Sequence, residues 1–125
     1  ESKQKIKFKF HSTTTFRKGD QHIIFPEEKY LFYNLQMVWE EFSPLELDLS
    51  RDDLEEINIS RYDLQSTMEQ FRNYAVKGFR GACQYEVRSN LSAEKLKQLN
   101  LLANFSFYSG IGYKTTMGLG QAVRV

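Results

Sequence analysis

The 125-residue chain has one cysteine, two histidines, two prolines and one tryptophan. With Cys83 alone, no internal disulfide can form, and one Cys with two His at no ligand-like spacing gives no zinc pattern, so no metal is expected. No stretch reaches the roughly 18 apolar residues of a membrane-spanning helix, and no basic start precedes an apolar core as in a secretion signal. The expectation is a cytoplasmic protein without membrane contact. An excess of one charge is also missing, with 17 Lys+Arg against 16 Asp+Glu. Internal repeats and low-complexity tracts are absent. What the chain does have is aromatic bulk: ten Phe, seven Tyr and 41% apolar residues overall. That suits a single folded domain able to bury about two-thirds of its unfolded surface. The first residue is Glu1 rather than Met, which hints at a fragment.

The balanced net charge conceals segregation along the chain. Residues 1–26 sum to +4, residues 27–71 to −9 and residues 72–125 to +6. If the two basic ends are neighbours in the fold, they make a positive face able to neutralise phosphates, with the acidic middle pointing elsewhere.

Hydrophobic periodicity gives the order strand, helix, strand, strand, helix, strand. Lys5 to His11 alternates strictly, with Ile6, Phe8 and Phe10 on one face and Lys5, Lys7, Lys9 and His11 on the other. The lysines either line an open sheet face or protect an edge strand from pairing, and the second account is preferred. Ser12 to Asp20 reads as a polar, Thr-rich loop, and His22 to Phe25 as a short extended piece. From Glu27 to Phe42, the residues Leu31, Leu35, Val38, Trp39 and Phe42 fall at helical spacing, with acidic residues at the N-terminal end. An acidic segment follows, with one helical turn near Arg51 to Ile57. Ser60 to Phe71 and Gly81 to Arg88 read as a hairpin connected through residues 72–80. Ser92 suits an N-cap, Leu91 and Leu96 a hydrophobic staple, and Leu96, Leu99, Leu102 and Ala103 continue an apolar face toward Tyr108. Gln121 to Val125 closes the order as a strand. The result is an α+β, ferredoxin-like βαββαβ (RRM-like) domain over residues 1–125, with both helices on one sheet face and the other face open.

Between the second helix and the last strand, Tyr108 to Gln121 places Gly110, Gly112, Gly118 and Gly120 around Lys114, Thr115 and Thr116. Glycines admit positive φ and let backbone amides approach an anion, while lysine supplies charge and threonine hydroxyls supply further polar groups. The spacing fits neither the P-loop nor the dinucleotide fingerprint. Its position after a helix and before a strand reverses the setting in which those motifs seat a phosphate.

This segment resembles the C-terminal glycine-rich loop of the RAMP superfamily, and more narrowly that of CRISPR repeat-processing endoribonucleases. The matching residues are Leu99, Leu102, Ala103, Phe105, Tyr108, Ser109, Gly110, Gly112, Lys114, Thr115, Thr116, Gly118, Gly120 and Gln121. Gly78-Phe79-Arg80-Gly81 is similar to the family's segment before the penultimate strand. Ser12 to Arg17 is similar to another, with Thr13 where proline is usual, and residues from Pro44 to Phe71 match only in general character. The resemblance implies two ferredoxin-like domains in tandem, of which this chain is the C-terminal one, and no cofactor. It implies CRISPR repeat RNA, the N-terminal domain of the same protein and other CRISPR effector subunits as partners. The implied reaction is metal-independent RNA scission, with the general acid/base histidine in the other domain, so that the fragment alone is inactive. The alternative is a non-catalytic RNA-binding or scaffold domain of an effector complex. A free-standing RNA binder of the four-strand aromatic type would instead expose aromatics on its central strands.

The expected RNA-contacting residues are Gly110, Gly112, Lys114, Thr115, Thr116, Gly118 and Gly120. Lys77 and Arg80, flanking the Gly78 to Gly81 turn, are candidates for phosphate contact or plain solvation, and Phe79 for the core. The glycines serve RNA approach, close backbone packing, or both. His11 and His22 are the only side chains suited to proton transfer near neutrality, but neither has a partner in motif spacing, and solvent exposure accounts for them. Cys83 reads as a small buried hydrophobe. The Asp52-Asp53 and Glu55-Glu56 pairs read as a solvated acidic segment.

Overall fold

The computed structural model describes residues 4–88 and 91–125. The elements are β1 (Gln4–Thr14), β2 (Phe16–Lys18), β3 (Gln21–Ile23), α1 (Glu28–Phe42), α2 (Arg51–Leu54), β4 (Ile57–Gln70), β5 (Ala75–Val87), α3 (Ala93–Ser109) and β6 (Ala122–Arg124). The main sheet runs β4-β5-β1-β6, every pairing is antiparallel, and β2 and β3 form a separate hairpin. With β2, β3 and the single turn of α2 set aside, this is the expected βαββαβ ferredoxin-like plan.

Alternation in β1 sends Ile6, Phe8 and Phe10 into the core, where they join Cys83, Tyr85 and Val87 of β5. Leu31, Phe32, Leu35 and Trp39 of α1 and Leu99, Leu102 and Ala103 of α3 cover that face. Aromatic edges fit one another: Phe32 meets Tyr85 at 5.3 Å between ring centroids, and Trp39 meets Phe105 at 5.1 Å. The buried Tyr85 hydroxyl donates to the Pro26 carbonyl, tying the start of α1 to the middle of the sheet. Burial pushes the Cys83 thiol up to about 11, as suits an inert core cysteine. Every aromatic on the middle strands, Phe8, Phe10, Phe79 and Tyr85, is buried, so they offer no base-stacking surface of the four-strand type.

Several expectations need correction. The lysines of β1 do not guard an edge: β1 lies inside the sheet between β5 and β6, and Lys5, Lys7 and Lys9 are exposed on the uncovered face. The edges are the three-residue β6 and the long β4, whose bulge at Ile59 to Arg61 and exposed charges Arg61, Asp63 and Glu69 resist further pairing. The Thr-rich loop is mostly strand. Thr13, Thr14 and Thr15 are buried, and their hydroxyls bond to Thr67 Oγ1, to the Ser12 carbonyl and to the Ile23 carbonyl respectively. β-branched residues favour extended backbone, and satisfied hydroxyls remove the cost of burying it. The β4–β5 connection is the four residues 71–74 rather than 72–80. Gly78 to Gly81, read as a turn, lies inside β5; a Cβ on Gly78 would strike the Thr14 carbonyl oxygen, and one on Gly81 that of Asp63. Those glycines mark close approach of backbones, not a reversal. In α1, Phe42 is exposed and Phe32 takes a core place instead; Tyr108 is exposed at the end of α3. Phe79 and Cys83 are buried as expected.

Two caps fix the helices beneath the sheet. Ser92 Oγ accepts from the Lys95 amide at 3.2 Å, and Leu91 and Leu96 both pack on the core. Ser50 and Asp53 form a reciprocal capping box on α2, and Asp53 Oδ2 also accepts from Lys95 Nζ at 2.7 Å. The Lys95 bond and the Ser50 amide hold the Asp53 carboxyl below its ordinary value of 3.8, against opposition from burial. A carboxyl depressed in the folded state stabilises above its unfolded value and loses that contribution as pH falls through the folded value. Asp53→Ala is therefore expected to cost about 1 kcal/mol in urea unfolding at neutral pH. The gap to the parent should close as the pH is taken well below 3.8; a gap that persists at low pH contradicts the assignment.

A candidate nucleic-acid interface

The glycine-rich segment folds back along the end of β1 and is bound to it by backbone. The Tyr113 amide donates to the Thr15 carbonyl at 2.8 Å, the Gly120 amide to the Thr13 carbonyl at 2.9 Å, and the His11 amide to the Gln121 carbonyl at 2.7 Å. The Gln121 amide donates to Ser12 Oγ at 2.9 Å, and the Gly112 amide to Asn34 Oδ1 of α1 at 3.0 Å. Across its own neck, the Ile111 amide donates to the Gly120 carbonyl at 2.8 Å. Gly112 sits at φ +93° with its Cα against the Thr15 carbonyl oxygen, and Gly120 at φ +68° against that of Ile111. In both places a side chain has neither the conformation nor the room.

The amides of Gly110, Gly112 and Gly120 are thus engaged inside the protein; that of Gly110 caps α3 by donating to the Ser106 carbonyl. The Thr115 methyl packs between Gly110 and Gly120. Residues Thr115–Met117 make one 3-10 turn, on which Thr116 is exposed, and Gly118 follows with open space where a Cβ would go. These glycines give the loop its shape, and the groups left to face outward are side chains.

Lys114 stands at the apex in a left-handed conformation, φ +56°, unusual for a residue with a side chain. Its Nζ lies 5.1 Å from the ring centroid of Tyr113 and 5.1 Å from that of Tyr74, at the β4–β5 turn. The Tyr74 hydroxyl, ahead of Tyr113, raises the Lys114 ammonium above its ordinary value, so the side chain is cationic throughout the physiological range. On the other side of Tyr113, Arg17 of β2 donates from Nη1 to the phenol oxygen at 2.6 Å, and His22 of β3 stands 6.1 Å away, ring to ring. Burial would raise the Tyr113 phenol, but Arg17 and then Lys114 bring it below its ordinary value.

Three separate segments therefore meet at one place: the β2–β3 hairpin, the β4–β5 turn and the glycine-rich loop. The two basic stretches of sequence are adjacent here. Among the expected residues, Arg80 joins the neighbourhood of β1 by donating from Nη2 to the His11 carbonyl, while Lys77 is exposed on β5 opposite Met68. His11 lines a cleft of about 400 Å³ with Phe107, Tyr108, Gln121 and Val123, on the side of the loop next to β6. His11 and His22 are thus in different places, and no pair of imidazoles is formed. Arg17, Tyr74 and Tyr113 escaped sequence reasoning. Tyr113 lies within a stretch notable for its glycines, Tyr74 within the 72–80 hairpin connection, and Arg17 after a threonine run that reads as a loop.

A family model described as CRISPR-associated endoribonuclease Cas6 matches residues 8–122. The chain belongs to the Cas6 family. A Cas6 endoribonuclease of Streptococcus thermophilus is 26% identical over an alignment of 116 positions that covers 89% of this chain and 46% of that protein. Among solved structures, a Cas6 product complex superposes with a TM-score of 0.84 at 26% identity, over 97% of this chain and 51% of that one. A substrate-mimic complex of the same Cas6 gives 0.79 at 27% identity, over 97% of this chain and 53% of that one. A Cas6 of Thermus thermophilus shares the fold with a TM-score of 0.88 at 23% identity, over 100% of this chain and 55% of that one. The chain spans about half the length of these Cas6 relatives.

If the glycines serve packing, their substitutions differ in a readable way. Gly112→Ala must displace the Thr15 carbonyl and hold a strained φ, so a loss of about 3 kcal/mol is expected in chemical unfolding. Gly118→Ala carries only the left-handed conformation, about 1 kcal/mol. Equal losses at the two positions would contradict this account.

Proposed function

We propose that this Cas6-family chain is the RNA-binding half of a CRISPR repeat-processing endoribonuclease, positioning pre-crRNA for cleavage into crRNA. The observation that carries the reading is the glycine-rich loop, which is locked to β1 by backbone and so presents Lys114 on a rigid support within the Cas6 match. Lys114 is the phosphate contact, with the exposed Thr116 hydroxyl beside it, and Thr115 and the glycines hold the loop in shape. Lys77 and Arg80 of β5 extend the positive surface.

The reaction of the whole protein follows from the chemistry of RNA. A base takes the proton of a 2′-hydroxyl, whose oxygen attacks the adjacent phosphorus; the 5′-oxygen departs with a proton from an acid, leaving a 2′,3′-cyclic phosphate. Proton transfer and stabilisation of the charged phosphorane are tasks for histidine and lysine, with no metal-bound step. The resemblance implies a proton-transfer histidine in the other ferredoxin-like domain, and among the described residues neither His11 nor His22 forms an ion pair with a carboxylate. This chain fixes the register of the RNA, and repeat sequence or hairpin shape is read across both domains. Other CRISPR effector subunits are further partners of the processed complex.

Labelled repeat RNA without added metal tests this. The intact protein carrying this chain should cleave it, and the chain alone should bind without cleaving. Lys114→Ala should lower the slope of log affinity against log salt by about 0.7 to 0.9, the loss of one phosphate contact. Binding without cleavage by the intact protein would favour the scaffold alternative, and cleavage by the chain alone would return His11 and His22 to the reaction.

A further inference from the structure

We infer that Arg17, Tyr113 and Lys114 form a phosphodiester clamp for RNA, built from the β2–β3 hairpin and the glycine-rich loop and held by phenols instead of carboxylates. The inference rests on the RNA-binding reading above and adds to Lys114 a second cation that the glycine motif does not contain. Three observations lead to it.

The first is the orientation of Arg17. Its Nε donates to the Gly19 carbonyl at 2.9 Å and its Nη1 to Tyr113 Oη at 2.6 Å, so the guanidinium is held at two separate nitrogens. A guanidinium has five N–H donors, and these bonds use two. The three that remain, two on Nη2 and one on Nη1, can donate to the oxygens of a phosphate. The second observation is the backbone of Lys114. It is the only non-glycine residue at positive φ among the described residues, and backbone in a sparsely populated region collects where function requires it. That conformation carries Nζ to the gap between the Tyr74 and Tyr113 rings.

The third is what surrounds the two cations. Among the described residues, the carboxylate pairs are Lys29–Glu27 and Lys95–Asp53, and neither Arg17 nor Lys114 has one. An arginine tied by a carboxylate has spent its charge on that partner. One tied by a phenol is equally immobile and still carries its full attraction for an incoming anion. Both cations lie close to Tyr113, at 5.3 Å and 5.1 Å from its ring centroid, and together they hold its phenol below the ordinary value.

Aromatic planes alternate with the cations. His22 flanks Tyr113, and Tyr74 stacks on Phe71 with ring centroids 5.0 Å apart. Charge between flat rings suits a nucleotide strand, whose phosphates are spaced by bases, better than an acidic peptide.

The experiment is a salt series of repeat-RNA binding by the intact protein with Arg17→Ala, Arg17→Lys and Tyr113→Phe, each checked for an unchanged melting temperature. Arg17→Ala should weaken binding about tenfold near 0.1 M salt and lower the salt slope by about 0.7 to 0.9. Arg17→Lys should restore the slope but only part of the affinity. Tyr113→Phe should keep the slope and weaken binding a few-fold, because the charge remains while its orientation is lost. A parental slope for Arg17→Ala overturns the clamp and leaves the RNA reading standing. Should the parent protein bind no repeat RNA, tripolyphosphate followed through the Arg17 Nε–H resonance decides. A shift there keeps an anion clamp and removes the RNA reading, and no shift removes both.

Discussion

The structure depends on two backbone carbonyls. Thr13 and Thr15, at the end of β1, accept from the amides of Gly120 and Tyr113, and through those bonds a loop that follows the last helix is fastened to the first strand. A buried carbonyl without a donor costs one to a few kcal/mol, so the loop has little freedom to detach once β1 is in place. The close approach to Thr15 sets the choice of glycine at position 112, as the Ile111 carbonyl does at position 120. It also delivers Tyr113 and Lys114 to the side of the molecule where the β2–β3 hairpin carries Arg17.

The same attachment explains how a chain of almost zero net charge acquires a positive site. The acidic residues of the middle segment belong largely to α1, to α2 with its flanks, and to the edge strand β4. The basic ends meet because β1 is an interior strand next to β5 and β6. Lys5, Lys7 and Lys9 are displayed on the sheet face away from the helices, while Arg17 and Lys114 converge beyond the end of β1. The separation of charge in sequence is converted to a separation in space by strand order alone.

Much of this was legible beforehand, and the failures have a common physical source. The alternation of Lys5 to His11, the α1 pattern from Glu27, the Ser92 cap and the four glycines are local signals, and each appears where the sequence put it. The misreadings concern features whose meaning is set by distant partners. Threonines at 13, 14 and 15 look like a loop until Thr67 and Ile23 supply partners for their hydroxyls. Gly78 and Gly81 look like a turn until the backbones at Thr14 and Asp63 press against them. At the site, Lys114 was found from its glycines, but the residues that orient it and Arg17 come from three segments whose convergence no local pattern announces.

One consequence concerns the order in which the molecule can be completed. Ser12 and Gln121, joined by a hydrogen bond, lie 109 residues apart. In the order of synthesis β1 precedes its neighbour β5 by the whole acidic middle, and the glycine-rich loop and β6 follow later still. Until they do, an apolar face bearing Phe8 and Phe10 waits without its full cover, along with the carbonyls of Thr13 and Thr15. Closure of such distant pairings is slow compared with helix formation. Within this domain the nascent segment is exposed to misassociation until those elements have emerged, and the lysines alternating along β1, whatever they do in the finished protein, are well placed to keep it soluble in the meantime.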